Sequence, residues 1–102
     1  MSEYDVNVWI NVLETLRYKI GDEMSKAGSD INHITCSKQT SPTFKTIIEI
    51  YFNYKTSEIS KIFIREHSAF PNHDDKMVTT SDFVNNHLQY FRDSKINSIL
   101  NK

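Results

Sequence analysis

The stretch TFKTIIEIYFNYKTSEISKIFIREHSAF, residues 43–70, decides how this chain is read. Phe44, Ile47, Ile48, Tyr51, Ile59, Ile62 and Phe63 fall on one helical stripe, and Ile50, Phe52, Tyr54 and Ile64 carry apolar surface onto other faces. The Ile residues and aromatics from Ile47 to Tyr54 also fit a strand, because a short apolar run does not separate the two states by periodicity. Length favours the helix. Neither Gly nor Pro interrupts Phe44 to Phe70, and a mean strand has only about 5–6 residues. A long helix apolar on several sides needs cover on several sides, and a chain of 102 residues has few other elements to supply it. The excess surface therefore predicts a partner chain.

Working outward, Ser41-Pro42 has the chemistry of a helix start, a capping hydroxyl followed by a residue pre-set for the first helical position. Upstream, Val6, Trp9, Ile10, Leu13, Leu16, Ile20 and Met24 form an amphipathic stripe that predicts a helix ending near Ala27-Gly28. The polar stretch from Gly28 to Thr40, broken only by Ile31 and Ile34, reads as a loop. Downstream, the long helix is expected to end before Phe70-Pro71, with a loop from Pro71 to Thr79. Thr80-Ser81-Asp82 then supplies a capping side chain and a first-turn acid. A third helix carries Phe83, Val84, His87, Leu88 and Phe91, and Ile96, Ile99 and Leu100 add a terminal turn or two after Asp93-Ser94. The expected fold is all-α, in one domain over residues 1–102.

Twelve Lys+Arg against thirteen Asp+Glu leave a formal net charge of -1, so no global field draws phosphates. Any nucleic-acid contact is expected to be local or shared with a partner; the segment from Met24 to Ile48 is mildly basic, with Lys26, Lys38 and Lys45 against Asp30. No apolar run approaches the roughly 18 residues that span a bilayer, and Met-Ser-Glu-Tyr-Asp lacks the character of a secretory signal. The lone Cys36 fits a reducing compartment.

Candidate chemical sites are sparse. His33 and Cys36 are spaced as half of a zinc site, but His67 with His73 makes a poor second half, and no third group orients the pair as nucleophile and base. Asp74-Asp75 reads as a solvated loop, and Glu14 and Glu23 sit off the apolar stripe of their helix. Gly21 and Gly28 are the only glycines, so there is no phosphate-binding loop. Trp9 and Phe52 read as core and Tyr54 as an interface residue; His67 and His87 read as satisfied structural histidines. No catalytic residue, metal ligand or cofactor is expected.

The order of helix, loop, long central helix, loop with a Thr-capped start, and short helix is the histone-fold plan. Thr43-Phe44 through Ile47-Ile48-Glu49-Ile50, Tyr51 to Lys61, and Ile62-Phe63-Ile64-Arg65-Glu66-His67-Ser68-Ala69 resemble the central helix of the centromere protein S family. Ser37-Lys38-Gln39-Thr40 and Val78-Thr79-Thr80-Ser81-Asp82-Phe83 resemble the lead-ins to that family's second and third helices, and the likeness runs from about Val8 to Leu100. The resemblance implies a histone fold of short, long and short helices with a C-terminal helical extension. It also implies a nuclear protein of chromatin and the centromere that forms heterodimers and tetramers with a centromere protein X-like chain. That assembly would bind double-stranded DNA, support the Fanconi anaemia group M helicase in DNA repair and join the inner kinetochore. Phe44, Ile48, Tyr51, Phe52, Ile59, Ile62, Phe63, Phe83 and Leu88 would form the partner interface, and Lys38, Lys45 and Lys76 would contact phosphates. Where the family places adjacent basic residues in its second loop, this chain has Asp74-Asp75-Lys76. The near-neutral charge leaves a rival open: a histone-fold module of a transcription or chromatin complex that binds protein alone.

Overall fold

A computed structural model describes residues 4–70 and 74–100, and it overturns the all-α histone fold. The order is α1 (Val6–Thr15), β1 (Lys19–Ile20), β2 (Ile31–Gln39), β3 (Phe44–Asn53), β4 (Ile59–Ser68), β5 (Lys76–Val78), α2 (Thr80–Asn86) and α3 (Leu88–Leu100). The strands form one antiparallel meander in the order β1-β2-β3-β4-β5. The expected central helix is the hairpin β3–β4, and the expected polar loop before it is β2.

The hairpin follows from the alternation of Thr46, Ile48, Ile50 and Phe52, all buried, while Ile47, Glu49 and Tyr51 between them stay partly open. Period two of this kind puts one set of side chains on one face of a sheet. The turn that divides the run needs neither Gly nor Pro. Asn53 Oδ1 accepts from the Lys55 and Thr56 backbone N–H groups at 2.9 and 3.1 Å, an Asx turn, and Ser57 takes the left-handed conformation at φ 65°. Ser41-Pro42 likewise marks a strand-to-strand turn, because Ser41 Oγ accepts from the Thr43 and Phe44 N–H groups. A bulge between Tyr51 and Phe52 interrupts the β3–β4 register.

The first helix begins where the sequence places it but stops nine residues after Val6, at Thr15. Asp5 caps its start by accepting from Val8 N–H at 3.0 Å. At its end Tyr18 N–H donates to Leu13 and Arg17 N–H to Glu14. This paired closure normally carries a glycine at the left-handed position, which Arg17 occupies at φ 71°. The predicted third helix and its extension are two helices separated at His87, and Thr79, one residue before the expected cap, accepts from Asp82 N–H at 3.1 Å.

The even-numbered residues of β2, β3 and β4, notably Ile34, Cys36, Ile48, Ile50, Phe52 and Ile64, join Val6, Val8, Trp9, Val12, Leu13, Phe83 and Phe91 in one buried cluster. All three helices therefore cover the same face. Trp9 stacks on Phe83 of α2 with ring centroids 5.6 Å apart and meets Phe91 of α3 edge-on at 4.7 Å. At the sheet's margin Gly21 N–H donates to Thr35 O, and a Cβ at Gly21 would stand 2.6 Å from that oxygen, so only glycine lets the chain approach β2 there.

Two substitutions test this account in thermal or denaturant unfolding. Arg17→Gly is expected to stabilise the chain by about 0.5–1 kcal/mol by relieving the left-handed backbone. Trp9→Ala is expected to cost about 3–5 kcal/mol, the penalty for emptying a large core site.

Candidate functional site

Among the described residues no helix lies on the opposite face of the sheet. Alternation and register place the odd-numbered strand residues there: His33, Tyr51 and Lys61 in one cross-strand row, Thr35, Glu49 and Phe63 in the next, then Ser37, Ile47, Arg65 and Met77, then Gln39, Lys45 and His67. His33 stacks on Tyr51 with ring centroids 4.3 Å apart and planes within 3°, and Lys61 Nζ lies 4.7 Å from the Tyr51 centroid on the side of β4. Phe63 meets Tyr51 edge-on at 6.1 Å. The Tyr51 ring thus spends its π-faces on cross-strand neighbours, as aromatic and cationic groups do on a sheet surface.

Below this ladder Arg65 reaches Glu49 and Asp75, both at 3.7 Å, and Asp75 Oδ1 stands 2.7 Å from His67 Nδ1. Asp75 is therefore engaged with the sheet and is not a bare loop acid. Glu49, Phe63, Arg65 and Met77 enclose a notch of about 290 Å³. Phe63 is 43% exposed and Met77 61%. Lys19, Lys45, Lys61 and Arg65 on this face outnumber Glu49 and Asp75, in a chain whose net charge is -1.

The residues expected to bind DNA do not form one patch. Lys45 is exposed on the open face, whereas Lys38 lies on the helix side with Nζ 2.6 Å from Leu16 O and 5.6 Å from the Tyr18 ring centroid. Lys76 pairs with Glu66, which puts it on the helix side at the far edge. The expected partner interface divides similarly. Tyr51 and Phe63 share the open face; Ile48, Phe52 and Phe83 are buried core, and Ile59 and Ile62 pack against that core. Phe44 is exposed at the start of β3, and Leu88 is half-buried at the start of α3. Tyr54 is exposed at the β3–β4 turn with Lys55 Nζ 5.9 Å from its ring centroid.

His33 and Cys36 share β2 at positions of opposite parity, so they face opposite sides of the sheet and cannot ligate one ion. His73 lies outside the described residues. Among the described residues no three His, Cys, Asp or Glu side chains converge as a ligand set, and no helix is long and apolar enough to cross a membrane. His67 with Asp75 has the form of a base and its orienting acid, but no hydroxyl or thiol bonds the His67 ring among the described residues.

Comparison with protein-family models, with curated proteins and with solved structures found no match. The resemblance to the centromere protein S family implied a long central helix, and residues 44–68 are two strands and a turn instead. The partner, DNA and chromatin readings drawn from that resemblance have lost the fold they rested on.

Cys36 is fully buried, and burial pushes its thiol up to about 11. The unfolded thiol ionises near its ordinary value of 9.0, so stability is full below that pH and falls as pH rises toward the folded value. Two units of difference correspond to roughly 2–3 kcal/mol. Unfolding curves between these pH values are expected to show the loss, Cys36→Ala to remove that share of it, and iodoacetamide to label Cys36 at pH 8 only after denaturation.

Proposed function

We propose that the chain is a non-enzymatic binding module that docks an acidic segment of a partner protein on the open face of its sheet. The supporting observation is that Phe63 and Met77 stand uncovered at the rim of a notch on a face with more cations than carboxylates. An antiparallel sheet tolerates one wet face, but such a face ordinarily alternates to polar residues, and this one sets Ile47, Tyr51, Phe63 and Met77 among its polar and charged residues. An apolar anchor in the notch with acids around it matches this chemistry, the pattern of a buried hot spot inside a polar rim. Both resident carboxylates already face Arg65, so Lys19, Lys45 and Lys61 are left to meet charge from outside.

Single-stranded nucleic acid is the rival occupant of an aromatic sheet surface, because bases stack on open rings. Tyr51 is held between His33 on the β2 side and Lys61 on the β4 side, so the central ring offers no free face. That occupancy favours a protein ligand.

Amide chemical shifts of the isotope-labelled chain provide the test. A short Asp/Glu-rich peptide with one leucine is expected to shift Glu49, Phe63, Arg65 and Met77, with an affinity that weakens as salt is raised. Phe63→Ser together with Met77→Ser is expected to weaken it about tenfold or more. A single-stranded oligonucleotide that binds these residues more tightly than the peptide would overturn the reading, as would a self-association that buries them.

A further inference from the structure

The helix side of the sheet carries a second concavity that the docking face does not use. Alternation and pairing bring Lys38, Thr46, Glu66 and Lys76 into one row across β2, β3, β4 and β5, just beyond the apolar row of Cys36, Ile48 and Ile64. The helices do not close over this row. Tyr18, after the end of α1, and Asn86 and His87, at the end of α2, stand around it and leave a pocket of about 250 Å³. Leu16, Ile64, Val78 and Phe83 complete its apolar wall.

The polar groups of this pocket are only partly engaged with one another. The Lys38 ammonium has one acceptor, Leu16 O, and no carboxylate partner among the described residues. The Glu66 carboxylate makes no hydrogen bond or ion pair among the described residues, although Lys76 stands opposite it on β5, outside the pocket wall. Burial pushes the Tyr18 phenol above its ordinary value. His87 donates from Nδ1 to Phe83 O at 2.9 Å, which leaves Nε2 as its unused nitrogen. Neighbouring strands lie about 4.8 Å apart, so Lys38 and Glu66, two strands apart, sit about 10 Å from each other at the backbone. They line one pocket without forming a salt bridge. Leaving opposite charges apart around a half-enclosed cavity forgoes an attraction that would be stronger there than in bulk water.

We propose that this pocket binds a small zwitterion of the free amino-acid type, with its carboxylate on Lys38, its ammonium on Glu66 and a short apolar side chain against Ile64, Val78 and Phe83. A ligand with both charges at one end completes both unpaired groups at once. A simple anion would leave Glu66 unmatched, and a simple cation would leave Lys38 so. Thr46 and Tyr18 form the polar floor between the two charges, and Asn86 supplies an amide at the rim. The site stands on the helix side, so it can fail while the open-face reading holds, and the reverse.

The test is titration of the labelled wild-type chain with L-leucine, N-acetyl-leucine and leucine amide, read by amide shifts. L-leucine is expected to move Lys38, Thr46, Glu66 and Asn86, and each blocked analogue to bind about tenfold more weakly or worse. Lys38→Met and Glu66→Gln are expected to reduce L-leucine binding similarly while leaving the shifts of the open-face residues in place. Equal binding of N-acetyl-leucine would overturn the ammonium contact and with it the proposal. No response of these amides to L-leucine, L-valine or L-alanine up to about 10 mM, a range that detects even millimolar affinity, would overturn it outright.

Discussion

Trp9 is the contact on which the helical layer depends. Its ring is fully buried, stacked on Phe83 from α2 and edge-on to Phe91 from α3, so one side chain of α1 gathers all three helices. Aromatic pairs of this kind add to their hydrophobic burial a preference for particular ring angles. The consequence is directional: the helices can sit only where the cluster meets the sheet, against Ile34, Ile48, Ile50 and Ile64. Among the described residues no further element covers the other side, and the sheet is left with one packed face and one open face.

The two faces differ in how their polar groups are satisfied. On the open face, rings and charges answer one another across strands, His33 with Tyr51, Lys61 with Tyr51, Arg65 with Glu49 and Asp75. The surface is ordered before any ligand arrives, and the uncovered parts are Phe63, Met77 and the outlying lysines. On the helix side the apolar core ends at a polar row where Lys38 and Glu66 line a pocket without a salt bridge between them. One face offers area and the other a small cavity.

How much of this is readable from residues alone can be argued element by element. The start of α1 at Asp5 and the Thr-capped α2 are local matters of side-chain oxygen and backbone N–H, and the sequence shows both to within a residue. The β3–β4 hairpin hides because its open face is also apolar: Ile47, Tyr51 and Phe63 interleave with Ile48, Ile50 and Phe52 and imitate a helical stripe. Its turn hides because Asn53 and Ser57 do the work usually advertised by Gly and Pro. Burial alternates strictly from Thr46 to Phe52, but in residue type only Glu49 marks the period of two, too little against a long run without a breaker. Once the hairpin is read as a helix, register is lost. The row of Lys38, Thr46 and Glu66 and the notch around Arg65 are products of register, so no spacing rule within one segment could assemble them.

β5 pairs with only Ile64, Arg65 and Glu66 of the ten-residue β4. Among the described residues, the strand from Ile59 to Phe63 therefore has no neighbour on its outer side, an arrangement that invites a foreign strand to add. Two features guard it: the bulge beside Phe52, which breaks the flat register, and the charge of Lys61. The same ammonium that flanks Tyr51 is thus also a gatekeeper, held at its post by the ring. Acetylation of that single lysine would leave a neutral run from Ile59 to Ile64 along an open edge, the composition that most readily adds to another strand.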